Sequence, residues 1–104
     1  MATLSSHLLN SVNGTHAGGV KVIIYQINSS GNKTIFFETE TDDGGRIIKD
    51  FELSSDDCAC EYEMVCKTAD YFSEKKVVSE IIIKFKMEDP KKKYHLPIII
   101  SPNG

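Results

Sequence analysis

YHLPIIISP, residues 94–102, decides the fold of this chain. Its three consecutive isoleucines are β-branched and favour a strand that is covered on both faces. Pro97 gives up a ladder hydrogen bond, so we expect it at a sheet edge or at the start of the paired stretch. His95 adds a titratable imidazole at this boundary, where packing alone does not require one. The stretch therefore predicts a β-sheet protein with a candidate functional residue on its last strand.

Short alternating runs separated by turn signals recur along the rest of the chain, which is typical of a β-sandwich. Strands are predicted at residues 4–9, 20–27, 34–41, 46–51, 59–67, 77–87 and 94–100. In the second of these, the alternation predicts that Val20, Val22 and Ile24 share one face. Residues 68–76 are the one predicted helix, with Thr68 as its cap. The prediction is a mainly β sandwich of about seven strands with one short helix.

Length and composition predict one domain over residues 1–104, because separate cores need more sequence than this. The formal net charge of −3 argues against nucleic-acid and membrane-surface partners. No apolar run approaches the ~20 residues of a membrane span. Residues 1–7 lack the pattern of a signal peptide, and residues 102–104 are not the peroxisomal tripeptide. We therefore expect a cytoplasmic protein.

The cysteines are an odd, clustered set, so we expect reduced thiols at Cys58, Cys60 and Cys66. A Cys-x-Cys pair with a third cysteine could bind a soft metal, but no fourth ligand follows at zinc spacing. All three positions fall in a segment with a strand-like pattern. We interpret them as small buried hydrophobic residues.

Packing leaves three side chains unexplained: His7 in the first predicted strand, Arg46 directly after a glycine turn, and His95. Two imidazoles can share acid–base work near neutral pH, since free imidazole has a pKa of about 6.5. A guanidinium adds a fixed fork of donors for an anionic or carbonyl-rich ligand. The set suits hydrolysis of a polar, planar, negatively charged molecule, although each residue alone also fits an exposed strand edge or turn. His16 is interpreted as a loop residue.

Four segments carry a family resemblance, and they follow in order as TLSSHLL (3–9), TDDGGR (41–46), ADYF (69–72) and YHLPIIISP (94–102). They resemble the transthyretin-like family, specifically its 5-hydroxyisourate hydrolase branch, from residue 3 to the end of the chain. Transthyretin itself lacks the two histidines and the arginine at these positions. Their presence favours the enzyme over a hormone carrier.

The resemblance implies a homotetramer of seven- or eight-stranded sandwiches, with active sites in a channel where dimers meet. It implies 5-hydroxyisourate, an unstable product of urate oxidation, as the substrate, and no metal or organic cofactor. The enzyme would add water to a ring carbonyl and cleave its C–N bond. His7, Arg46 and His95 match the family's catalytic and substrate-binding residues. We assign water activation to His95, orientation or proton transfer to His7, and charge stabilisation to Arg46.

An alternative function on the same sandwich is a non-catalytic binding or interaction module, which keeps the pocket without turnover. The family pattern also continues past Ser101-Pro102 with a final strand that ends in Tyr-Arg-Gly-Ser, whereas this sequence ends at Pro102-Asn103-Gly104. We therefore expect a less protected edge on the last strand. A smaller departure is Asn10, where the family has an aspartate, and there we expect an altered turn contact.

Overall fold

A computed structural model describes residues 1–72 and 77–101. The elements in chain order are β1 Ala2–Asn10, β2 Thr15–His16, β3 Lys21–Ile27, β4 Lys33–Glu40, β5 Arg46–Phe51, α1 Ser55–Cys58, β6 Glu61–Cys66, α2 Thr68–Tyr71, β7 Ile81–Lys86 and β8 Lys93–Ile100. The predicted mainly β class is confirmed, and each predicted strand has a counterpart. β2 and α1 have no counterpart among the predicted elements.

The strands form two four-stranded sheets with a shared core between them. In the first sheet, β1 pairs antiparallel with β5 and β2 on one side and parallel with β8 on the other. The second sheet has the antiparallel order β4-β3-β6-β7. The largest fully buried side chains come from both inner faces and their connections: Tyr62, Leu4, Leu8, Ile24, Met64, Met87 and Ile100. This is the architecture of the predicted sandwich.

Alternation along the strands explains which side chains reach the core. In β1 every second residue is buried, from Ala2 to Asn10, and the residues between them point outward. The predicted inner face of β3 is confirmed, because Val20, Val22 and Ile24 are all buried. Burying one such aliphatic side chain stabilises the sandwich by about 1.5–3 kcal/mol relative to leaving it exposed.

Pro97 lies in β8, which forms one edge of the first sheet among the described residues. The Thr3 amide donates to the Lys92 carbonyl, and the Ser11 amide donates to the Ile100 carbonyl. In a parallel ladder this pattern directs the backbone groups of the even-numbered β8 residues at β1. The nitrogen of Pro97 therefore faces the free edge, so the proline is at an edge as predicted but costs no hydrogen bond in the β1–β8 ladder.

Asn10 supports the connection that follows β1. Its carboxamide oxygen accepts from the Val12 amide at 2.9 Å, and its carboxamide nitrogen donates to the Tyr71 hydroxyl at 3.2 Å. The side chain thereby closes the turn between β1 and β2 and ties that turn to α2. Asn10 therefore makes a turn contact, and its difference from the contact of an aspartate at this position stays a prediction.

The helices are shorter than the sequence predicts. Of the predicted helix at residues 68–76, the structure has Thr68–Tyr71, and residues 73–76 lie outside the described residues. The predicted cap is wrong, because Lys67 occupies the N-cap position and Thr68 is the buried first residue of the helix. In the parts of the chain that the structure describes, no helix is long and apolar enough to cross a membrane.

The three cysteines are free thiols. Cys66 lies on β6, whereas Cys58 ends α1 and Cys60 precedes β6, so the expectation that all three lie on a strand is wrong. Cys60 and Cys66 are buried. Burial raises the pKa of the Cys66 thiol to about 11, which keeps it protonated at neutral pH.

Candidate active site

The outer face of the first sheet brings the three predicted site residues together. Because alternate β1 residues point into the core, Ser5 and His7 project outward. The pairing register places Ser5 opposite His95 of β8, and it places His7 opposite Arg46 of β5. His7, Arg46 and His95 therefore share one surface, although they come from three strands far apart in the chain.

His7 and Arg46 form a close cross-strand pair. The Leu8 amide donates to the Gly45 carbonyl at 2.7 Å, so Leu8 and Gly45 are the hydrogen-bonded type of antiparallel pair. The next pair, His7 with Arg46, is then the narrow type, with its Cα atoms about 4.5 Å apart. Arg46 is exposed, and among the described residues its guanidinium has no ion pair. Its charge is available to an anionic ligand.

The turn before β5 fixes the position of Arg46. The Asp42 carboxylate accepts hydrogen bonds from the amides of Gly44 and Arg46, each at 2.9 Å. Gly45 has a φ of +73°, and a Cβ at this position would lie 2.4 Å from the Leu8 carbonyl oxygen. The turn can therefore press against β1 only because residue 45 has no side chain.

His95 is held by a neutral partner from β1. Its Nδ1 lies 2.8 Å from the Ser5 hydroxyl oxygen, which is itself 3.5 Å from the Tyr94 carbonyl oxygen. When the hydroxyl donates to that carbonyl and accepts from Nδ1–H, Nε2 of His95 carries the lone pair of a base. Strand spacing puts the Cα atoms of His7 and His95 about 8 Å apart.

His16 is a fourth residue of this surface, and its interpretation as a loop residue is wrong. It lies in β2 opposite Leu9, which places it on the same face as His7. Its Nδ1 is 2.8 Å from Nε2 of His7, and the two rings stack with centroids 4.9 Å apart. We call the outer surface that carries His7, His16, Arg46 and His95 the histidine face.

One sequence signal indicates that His16 lies on a short strand. Asn13-Gly14 is a strong turn dipeptide, and Gly14 adopts a φ of +72°. A two-residue loop at Asn13-Gly14 would pair Ser11 with His16, whereas the structure has a four-residue loop at 11–14, which pairs Asn10 with Thr15 and Leu9 with His16. Because strand side chains alternate, that register alone places His16 beside His7.

A groove of about 480 Å³ lies elsewhere, against the second sheet near Lys21, Lys67 and Asp70. None of the residues of the histidine face lines it. Lys67 is engaged in an ion pair with Glu80. The candidate active site is thus an open surface of the first sheet and not the groove.

Residues 4–104 match the family model described as the HIUase/Transthyretin family. The chain belongs to this family. The resemblance carried by the four sequence segments is therefore confirmed, over a range that includes every residue of the histidine face.

Several proteins similar to this chain are named 5-hydroxyisourate hydrolases. The 5-hydroxyisourate hydrolase of Halalkalibacterium halodurans is 26% identical over 97% of this chain and 91% of its own length. That of Salmonella typhimurium is 32% identical over 97% of this chain and 75% of its own length. The structure of Klebsiella pneumoniae 5-hydroxyisourate hydrolase matches with a TM-score of 0.76 and 26% identity, over 100% of this chain and 93% of that one.

Proposed function

We propose that this protein is a hydrolase that opens the ring of 5-hydroxyisourate in urate degradation. The observation that carries the proposal is the histidine face: His7 lies directly opposite Arg46, and His95 lies opposite Ser5, two residues from His7 along β1. Among the described residues the Arg46 guanidinium has no ion pair. Membership of the HIUase/Transthyretin family and relatives named 5-hydroxyisourate hydrolases support the choice of substrate. We take the reaction to be the addition of water to a ring amide.

His95 activates the water in this mechanism. Its Nε2 removes a proton from the water molecule while the water oxygen bonds to the ring carbonyl carbon. Ser5 holds Nδ1 on the opposite side of the ring, which orients the imidazole and stabilises the imidazolium that forms. The water proton is then on His95, and the carbonyl oxygen carries the negative charge.

Arg46 stabilises that charge. Its guanidinium presents several N–H donors in one plane, which suits the oxygen atoms of a planar, carbonyl-rich ring. Since Arg46 has no ion pair within the described ranges 1–72 and 77–101, no such pair there has to break when the oxyanion develops. We expect its contribution to be larger in the transition state than with the bound substrate.

His7 completes the proton balance. Collapse of the tetrahedral intermediate breaks the C–N bond, and the departing nitrogen needs a proton. His7 lies beside Arg46, supplies this proton and is then reprotonated from solvent. The new carboxylic acid and His95 each release a proton to solvent before the next turnover, which restores both imidazoles. The products are a carboxylate and a free ureido nitrogen on an open chain.

A binding module is the second candidate, and the openness of the histidine face favours it. Such a module would bind a planar anion through Arg46 without turning it over. The two functions differ in a direct observable, since the module changes no reaction rate.

We also propose that the protein is a homotetramer in which a second copy covers the histidine face. Ile48 and Ile99 are 75% and 66% exposed on this same face, so apolar surface surrounds the polar groups. Covering the face would exclude water from the site and strengthen its electrostatic contacts. Light scattering at micromolar concentration should give four times the mass of the chain.

We place the enzyme in the cytoplasm, where its free thiols stay reduced.

The test generates 5-hydroxyisourate in place from urate with urate oxidase and follows the decay of its ultraviolet absorbance. We expect the wild type to accelerate the decay and His95→Ala to lower kcat by at least about 10²-fold. Lys84→Ala, on the outer face of the second sheet, is the matched control and should keep the wild-type rate. Decay at the spontaneous rate with well-folded wild-type tetramer would contradict the hydrolase and favour the binding module.

A further inference from the structure

His16 makes a contact that the proposed mechanism does not use. Its Nδ1 is 2.8 Å from Nε2 of His7, and the ring planes are 29° apart at a centroid distance of 4.9 Å. An N···N distance of 2.8 Å requires a proton between the two nitrogens, because two lone pairs at this distance repel each other. The two imidazoles are therefore a hydrogen-bonded pair.

The backbone around His16 builds this contact. The Gly14 amide donates to the Asn10 carbonyl at 2.8 Å, and the Ala17 amide donates to the Leu8 carbonyl at 2.9 Å. These two bonds bracket His16 and pin β2 to β1 on both sides of it. The turn before β5 also lies close to His16, because a Cβ placed on Gly45 would be 3.3 Å from Cβ of His16. The imidazole thus projects from a tightly fixed point of the sheet.

The hydrogen bond to His16 occupies one of the two ring nitrogens of His7 and restricts the tautomer of the ring. With Nε2 engaged by His16, the nitrogen of His7 left for a ligand is Nδ1, and the tautomers of the two rings must be complementary. Other groups near the pair are Arg46 opposite His7 on β5, His95 one row along on β8, and Asp42, whose carboxylate is bound by the amides of its own turn. None of these makes the contact that would replace His16.

We propose that His16 is a positioning residue, which holds the imidazole of His7 in one tautomer with Nδ1 directed toward the substrate. This inference rests on the proposed hydrolase function. His16 acts on the reaction only through His7. Losing it should therefore weaken proton transfer at His7 while leaving the substrate contacts of Arg46 and His95 in place.

The experiment compares wild type, His16→Ala and His16→Asn, with Thr15→Ala as the matched control on the same two-residue strand. Long-range proton–nitrogen spectra of the labelled protein report the tautomer of His7 independently of activity. We expect one tautomer in the wild type and in Thr15→Ala, and a mixture of two in His16→Ala. Asn at residue 16 keeps a hydrogen-bonding group near the place of Nδ1, so the single tautomer should return.

Kinetics with 5-hydroxyisourate generated in place should follow the spectra. We expect His16→Ala to lower kcat about tenfold, the effect of one lost hydrogen bond, and to leave KM within about twofold. His16→Asn should recover kcat to within about threefold of wild type. An unchanged His7 spectrum in folded His16→Ala, or a kcat equal to that of Thr15→Ala, would overturn the proposal. If wild type itself fails to accelerate the decay, the hydrolase function fails, while the spectra still decide whether His16 positions His7.

Discussion

The outer faces of the two sheets differ in whether their charged side chains form ion pairs. On the second sheet, the Glu63 carboxylate is 8% exposed and lies 2.9 Å from the Lys33 ammonium and 3.9 Å from that of Lys84. The Lys33 ammonium also lies 4.4 Å from the centroid of the Tyr25 ring. On this face the Glu63 carboxylate therefore pairs with two ammonium groups.

The histidine face has no comparable neutralisation among the described residues. Its imidazoles hydrogen-bond to a serine hydroxyl and to each other, and Arg46 is exposed without an ion pair. On both faces, alternate residues of a β-strand point outward. The two faces therefore differ in the chemistry of their side chains and not in their backbone geometry. Paired surface charges contribute little to stability and are engaged with each other, whereas unpaired charges are available to a ligand.

Arg46→Gln is the change with the largest expected effect, because it removes the unpaired charge from the histidine face. We expect kcat/KM for 5-hydroxyisourate to fall about 10²- to 10³-fold, the loss typical of one oxyanion-stabilising group. Lys33→Gln removes a paired charge from the second sheet and should keep kcat/KM within about twofold of wild type. Steady-state rates of both variants test the contrast, and equal losses would abolish it.

Gly45→Ala tests how far the histidine face depends on close backbone contact. The new methyl group would meet the Leu8 carbonyl at 2.4 Å and would also force an alanine into a positive φ. We expect the free energy of unfolding to fall by about 3 kcal/mol. Urea denaturation monitored by circular dichroism measures this loss.

Gly31→Ala is the control for that measurement, in the turn between β3 and β4 of the second sheet. Its φ is +83°, but an added Cβ would have no atom within 4 Å. The substitution should therefore cost only the conformational strain, about 1 kcal/mol. The same loss at both glycines would mean that the contact between the turn and Leu8 adds nothing to the stability of the histidine face.

Glu63→Gln carries the smallest expected effect and acts on the second sheet alone. It removes the carboxylate but leaves two lysines that reach solvent, so the free energy of unfolding should fall by no more than about 1 kcal/mol. The rate of 5-hydroxyisourate hydrolysis should not change. Urea denaturation and the absorbance assay measure the two quantities, and a tenfold loss of rate would show that the second face also takes part in the reaction.

Local pattern is enough to predict the longer strands and the inner face of β3. The alternation in β1 and β3 reports burial directly, because each inward residue meets the opposite sheet. The pattern predicts too long a strand at residues 77–87. In the structure the strand is Ile81–Lys86, and Val77 is 81% exposed. Apolar residues at strand ends look the same in sequence whether or not they pair.

The candidate site needs information that no local pattern holds. His7, Arg46 and His95 can be selected by residue type, and the family resemblance selects the same three. Their alignment depends on long-range pairing, as in the contact between Ser5 and His95 across 90 positions of sequence. His16 escapes the periodicity argument because a two-residue strand is too short to alternate, and the turn dipeptide before it indicates a hairpin but not the four-residue loop that sets its register.

Pro97 has a consequence for the behaviour of the chain at high concentration. Residues 98–100 are a β-branched run on an edge strand, the kind of segment that recruits further strands and grows into fibrils. A strand added to this edge would hydrogen-bond to the backbone groups of the odd-numbered β8 residues. Pro97 is one of these residues and has no backbone N–H to donate. Pro97 thus interrupts the row of hydrogen-bond donors in the middle of β8, which limits aggregation along the edge that carries His95.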